Sequence, residues 1–128
     1  MPGSRIQAID RVTIEAPLGI DDELRWFYRE VADLEEVEAT LPVSSALIFR
    51  SARIELRVVL RTDPRIECNR YRLTLMVTSL EQAAERLDER RVAWSRFCGV
   101  PWSDQRLGTV DPAGNRVWLK RSWPDAPL

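Results

Sequence analysis

"DPAGNRVWL" (111–119) is the stretch that decides the fold. Asp-Pro opens a tight turn and Gly-Asn closes it, because these residues adopt the turn dihedrals at little cost. An alternating strand follows. Val117 and Leu119 point to one face; Arg116, Trp118 and Lys120 point to the other. Such a strand is half-buried. A tryptophan in the middle of its polar face needs a separate explanation.

Working outward, similar strands recur. "IQAIDRVTIEAP" (6–17) sets Val12 and Ile14 against Arg11, Thr13 and Glu15 and stops at Pro17. Asp21 or Asp22 is placed to cap a helix on which Leu24, Phe27, Tyr28 and Val31 share one stripe. "EEVEA" (35–39), "SALIFR" (45–50) and "RIELRVVL" (53–60) read as strands; "RTDPRIECN" (61–69) reads as a linker. The order then restarts with "RYRLTLMV" (70–77). Next comes a helix with Ser79 and Gln82 as a capping box and Leu80, Ala83, Ala84 and Leu87 as its stripe, followed by the strands "VAWSRF", "QRLGTV" and "RVWLK". The predicted fold class is α+β: two βαβββ modules forming a cupped, mostly antiparallel sheet with helices on the outer face. Module one spans 6–60, the linker 61–69, module two 70–120 and a tail 121–128, all expected as one domain.

A chain of 128 residues with a net charge of −1 has no global field to gather nucleic acid or anionic lipid. It has no apolar run of membrane length and no secretory h-region, so a cytoplasmic location is expected. Histidine is absent, which removes the commonest metal ligand and the commonest general base. Cys68 and Cys98 lack CxxC spacing and are expected as free thiols. Lys120 is the only lysine; the other cations are arginines, which suit fixed pairing with carboxylates.

"DPAGNRVWL", together with "FYREV" (27–31) and "PWSDQRLGTVDP" (101–112), resembles the vicinal oxygen chelate superfamily, the glyoxalase/bleomycin-resistance/dioxygenase group. The resemblance covers roughly residues 6–120. It implies a ligand-holding cup in which many relatives bind a divalent metal through residues of the first and last strands of each module. Here those positions carry Arg11, Arg72 and Trp118, and only Glu55 matches a carboxylate ligand. One carboxylate beside guanidiniums does not make a site for a cation that wants three or four protein ligands. No metal and no cofactor is therefore expected.

If the apolar faces pack on the helices, the other faces line the cup: Arg11, Thr13, Glu15, Arg53, Glu55, Arg57, Arg72, Thr74, Met76, Arg116, Trp118 and Lys120. The candidate ligand-binding residues are Arg11, Thr13, Glu55, Arg57, Arg72, Thr74, Trp102, Arg116 and Trp118. Two readings stand. In one, an anionic or aromatic small molecule binds among the arginines and stacks on Trp118. In the other, Arg11 and Arg72 flank Glu55, Trp118 packs on their guanidiniums, and the cup is filled. Glu55 is the one weak candidate for catalysis as a general base, although flanking arginines would keep it ionised.

Trp26 reads as a core or dimer contact and Trp94 as core. Trp102 reads as pocket rim or packing, and Trp123 as packing on a neighbouring subunit or the domain's own surface. The expectation for function is a metal-free homodimeric binding protein, with a divergent lyase or isomerase, or a non-catalytic relic, as alternatives.

Overall fold

The computed structural model describes residues 10–38, 46–71, 73–99 and 105–121. Strand β1 (Asp10–Pro17) buries Ile14 and Ala16 and leaves Arg11 and Thr13 exposed, as alternation requires. Helix α1 (Asp21–Arg25) follows. Ile20 takes the cap position without a side-chain bond, so neither Asp21 nor Asp22 caps it. Both instead lie in the first turn with Glu23, where acidic charge offsets the exposed N–H groups.

From Trp26 to Val31 the helix widens into a π turn, in which the Ala32 N–H reaches the Phe27 carbonyl at 3.0 Å. The widened turn still buries Phe27, Tyr28 and Val31 together. At its end Asp33 takes a left-handed φ of 59°, and its carboxylate accepts from both the N–H and hydroxyl of Thr78 at 3.2 Å.

Three strands complete module one: β2 (Glu35–Val37), β3 (Ala46–Arg50) and β4 (Ile54–Arg61). Module two repeats the order with β5 (Leu73–Val77), α2 (Leu80–Glu89), β6 (Trp94–Cys98), β7 (Gln105–Val110) and β8 (Arg116–Arg121). The Ser79 hydroxyl caps α2 by accepting from the Gln82 N–H at 3.1 Å. The strands form two open four-stranded mixed sheets, ordered β1-β4-β3-β2 and β5-β8-β7-β6. In each, the first strand pairs in parallel with the last, and the remaining pairs are antiparallel. The fold is thus α+β with two βαβββ modules.

Leu56, Val58, Leu75, Val77, Val117 and Leu119 bury their side chains with Leu24, Phe27, Leu80 and Leu87 in one cluster. This confirms which strand faces meet the helices. Trp94 corrects an expectation. It is 37% exposed, and the whole of β6 is exposed, because β6 is the edge strand of its sheet. The Trp94 indole N–H instead donates to Asp88 at 2.8 Å. Both cysteines are free and exposed. No described helix is long and apolar enough to cross a membrane.

The turn "DPAGN" holds the modules together. The Asp111 Oδ1 accepts from the N–H groups of Ala113 and Asn115, and Gly114 takes φ +101° to close the loop. The buried Asn115 amide then reaches outward. Its Nδ2 donates to the Glu15 carbonyl of β1 at 3.0 Å, and its Oδ1 accepts from the Glu67 N–H of the linker at 2.8 Å. The Arg116 N–H in turn donates to the Glu67 carbonyl at 2.9 Å. One side chain therefore ties module one, linker and module two together.

Candidate functional site

On the first sheet, strand register builds a row of alternating charge across the face away from the core: Arg11 on β1, Glu55 on β4, Arg50 on β3 and Glu35 on β2. Cross-strand neighbours of opposite sign attract. The Arg50 Nη2 donates to Glu55 Oε1 at 2.6 Å, and the Arg11 Nε lies 3.9 Å from Glu55 Oε2. The Arg50 hydrogen bond is the main cause holding the Glu55 carboxyl below its usual range, with Arg11 and Arg57 adding to it. The sequence alone does not single out Arg50, because its meeting with Glu55 depends on the register between β3 and β4. Two-residue alternation across paired strands was the signal available.

Arg53 and Arg57 are exposed, and Thr13 sits opposite Arg57 in the register. Glu15 is an ordinary ion-pair partner. It lies 3.4 Å from Arg61 and accepts from the Arg65 N–H.

On the second sheet the face is aromatic. Trp118 stacks on Tyr71 with ring centres 4.0 Å apart and planes 28° apart. Phe97 lies 6.0 Å from Trp118, and the Arg106 guanidinium lies 5.8 Å from its ring. Arg116 lies 5.3 Å from the Tyr71 ring. The stack fits because Gly108 is the cross-strand partner of Trp118. A Cβ on Gly108 would meet the Tyr71 hydroxyl at 2.9 Å and Trp118 Cζ3 at 3.1 Å. Thr74 flanks Trp118 on β5 and is exposed, while Met76 and Lys120 pair further along and are half-buried.

The filled-cup arrangement read from the sequence is met in part: Arg11 lies 3.9 Å from Glu55, while Arg72, its other arm, lies outside the described residues. Among the described residues Trp118 packs with Tyr71, Phe97 and Arg106, and the short partner of Glu55 is Arg50. Arg72 and Trp102 lie outside the described residues, as does Trp123. Tyr71, which the sequence reading passed over as the start of a strand, supplies the ring that meets Trp118.

Between the sheets runs a cleft of about 360 Å³ whose lining includes Arg11 and Thr13 of β1, Asn115, and Arg116 of β8. The structure thus brings Arg11, Thr13 and Arg116 to one recess. Arg116 is shared between that recess and the aromatic stack.

The positions that would hold a divalent metal in this fold do not suit one. Arg11 carries a fixed positive charge, Trp118 has no donor lone pair and is stacked, and Glu55 is bonded to Arg50. Among the described residues no three His, Cys, Asp or Glu side chains gather to make another such site.

No family model and no curated protein matches the chain. Solved structures do. A Bacillus anthracis protein assigned to the glyoxalase family superposes with a TM-score of 0.75 at 22% identity, over 92% of this chain and 97% of that one. An antibiotic-binding protein from Streptomyces sp. CB03234 gives 0.64 at 22% identity, over 93% and 98%. The fosfomycin-resistance protein FosX of Listeria monocytogenes, solved as a mutant with Mn(II) and a dihydroxypropylphosphonic acid, gives 0.70 at 13% identity, over 92% and 94%. The chain therefore has the fold of the glyoxalase/bleomycin-resistance proteins.

Proposed function

We propose that this protein is a metal-free binding protein of the glyoxalase/bleomycin-resistance type, taking an anionic or aromatic small molecule on the cup face. The observation that carries the reading is the stacked pair of Trp118 and Tyr71, with the Arg106 guanidinium beside Trp118 and that of Arg116 beside Tyr71, at the position where relatives of this fold would place a carboxylate ligand. An indole face attracts flat rings and cations, and guanidinium forks attract carboxylates and phosphates. The similar Streptomyces protein is described as binding an antibiotic, and FosX was solved with a phosphonic acid; both uses of the fold agree with a small organic ligand here. In this reading the two modules act as one cytoplasmic domain that pairs into a homodimer, with Arg11, Thr13, Arg57, Arg72, Thr74 and Trp102 completing the surface around the ligand.

Catalysis through Glu55 is disfavoured, because a carboxylate held down by Arg50 is a weak base. A filled, non-catalytic cup is the second reading, favoured by one observation: Tyr71 already covers part of Trp118.

Native mass spectrometry of the protein purified without added ligand tests the proposal. The expected result is a dimer without a metal increment, carrying or accepting an organic adduct. A stoichiometric metal whose removal abolishes an activity would overturn it.

A further inference from the structure

Tyr71 is not part of a strand pair. It stands at the end of the inter-module segment, just before β5, yet its ring stacks on Trp118 with centres 4.0 Å apart and planes 28° apart. Three features converge on that ring. Gly108 leaves the space it fills, since a Cβ there would come within 2.9 Å of the phenol oxygen and 3.2 Å of Cζ. Arg116 lies 5.3 Å from the ring centre. The same Arg116 lines the cleft shared with Arg11, Thr13 and Glu67, so a recess with two guanidiniums and one carboxylate lies beside the ring. Tyr71 itself has no anionic group to place there.

We propose that Tyr71 is an internal occupant of the ligand site, and that the ligand which displaces it is a planar aromatic acid. Its ring takes the place of the phenol on Trp118 above Gly108, and its carboxylate or phosphate enters the cleft between Arg11 and Arg116. The inference rests on the binding reading above and narrows it. A saturated acid lacks the face that Trp118 rewards, and a neutral arene lacks the anion that the arginines reward. Tyr71 competes for the same surface, so it sets the affinity threshold: a site open only part of the time binds with its intrinsic affinity reduced by the open fraction.

The test uses 2-naphthoate and benzoate as probes and cyclohexanecarboxylate as the saturated control, with wild type, Tyr71→Phe and Tyr71→Ala. Tyr71→Ala is expected to bind 2-naphthoate about five- to tenfold more tightly than wild type, since it removes an aromatic pair that the ligand must otherwise break. Tyr71→Phe keeps the ring and should bind like wild type. Cyclohexanecarboxylate should bind none of the three proteins measurably.

A second readout uses wild type alone. The chain has two tyrosines, so the Tyr71 ring resonances are readily assigned. They should lie upfield in the free protein, under the Trp118 ring current, and move to ordinary positions as 2-naphthoate saturates. Binding as tight in wild type as in Tyr71→Ala, or a Tyr71 signal that stays upfield in the complex, would overturn the displacement and leave the binding reading standing. Failure of both proteins to bind either aromatic acid would overturn both.

Discussion

The phenol of Tyr28 donates a 2.6 Å hydrogen bond to Asp111 Oδ2, and both groups are buried. Tyr28 belongs to "FYREV" on the first helix and Asp111 to "DPAGN" before the last strand, so the two most recognisable pieces of the sequence meet across the core. Burial and the facing carboxylate push the Tyr28 phenol well above its usual value. Burial raises the Asp111 carboxyl, against the bonds from Tyr28, Asn115 and Ala113 that pull it back.

Tyr28→Phe should therefore lower stability by about 1–3 kcal/mol, because it leaves a buried carboxylate with one donor fewer. The pH dependence has a definite sign. A phenol whose folded pKa is raised stays protonated in the native state while the unfolded chain ionises, so its contribution is complete below about pH 10 and is lost as pH rises beyond it. Denaturant midpoints should fall more steeply above pH 10 in wild type than in Tyr28→Phe. Parallel slopes would contradict the buried hydrogen bond.

Asn115→Ala should be among the more damaging polar substitutions. It removes the bonds to the Glu15 carbonyl, the Glu67 N–H and Asp111 Oδ2 at one buried position. A loss of about 3 kcal/mol is expected from urea unfolding. Hydrogen exchange should quicken at the Glu67 amide, which the Asn115 side chain protects.

Most of the architecture was legible because half-buried strands alternate and the helical stripes are regular. "RIELRVVL" and "RVWLK" could take only one orientation with Leu56, Val58, Val117 and Leu119 inside. What the local pattern did not carry was set by pairing between distant segments. Arg50 meets Glu55 only because β3 and β4 pair in one register. Tyr71 meets Trp118 only because Gly108 leaves room two strands away. Trp94 has a core-like composition, but β6 falls at a sheet edge, and hydrophobicity alone does not reveal edge position. The π turn after Arg25 also escaped, since Phe27, Tyr28 and Val31 share a face in either helix type.

Glu55→Gln should cost less than about 1 kcal/mol, because Arg50 and Arg11 both remain well exposed and such pairs are screened. The loss should shrink further in high salt. Glu55 has a lowered carboxyl, so its contribution is present above the unfolded carboxylate range and disappears as pH falls through its folded value. A salt-independent loss of several kcal/mol, read from urea titrations at two ionic strengths, would mean that Glu55 is a sequestered charge.

Gly108→Ala should change spectra more than stability. The added Cβ crowds the Tyr71 hydroxyl and Trp118 Cζ3, and the phenol is the more readily displaced because it is the far end of a side chain. Overpacking and the stiffer unfolded chain act in opposite directions, so a net change of about 1 kcal/mol or less is expected. Trp118 should become more accessible, giving redder emission and stronger iodide quenching than in wild type. A spectrum unchanged from wild type would mean that Tyr71 does not shield Trp118.

The most direct measurement of the central claim is equilibrium dialysis of 2-naphthoate against wild type and Trp118→Ala, each with and without EDTA. If the cup face binds an aromatic acid on Trp118 without a metal, wild type retains the probe equally in both buffers. Trp118→Ala, with its circular dichroism intact, then loses at least about tenfold in affinity. Retention by Trp118→Ala at wild-type affinity, or binding by wild type that EDTA abolishes, would contradict the account.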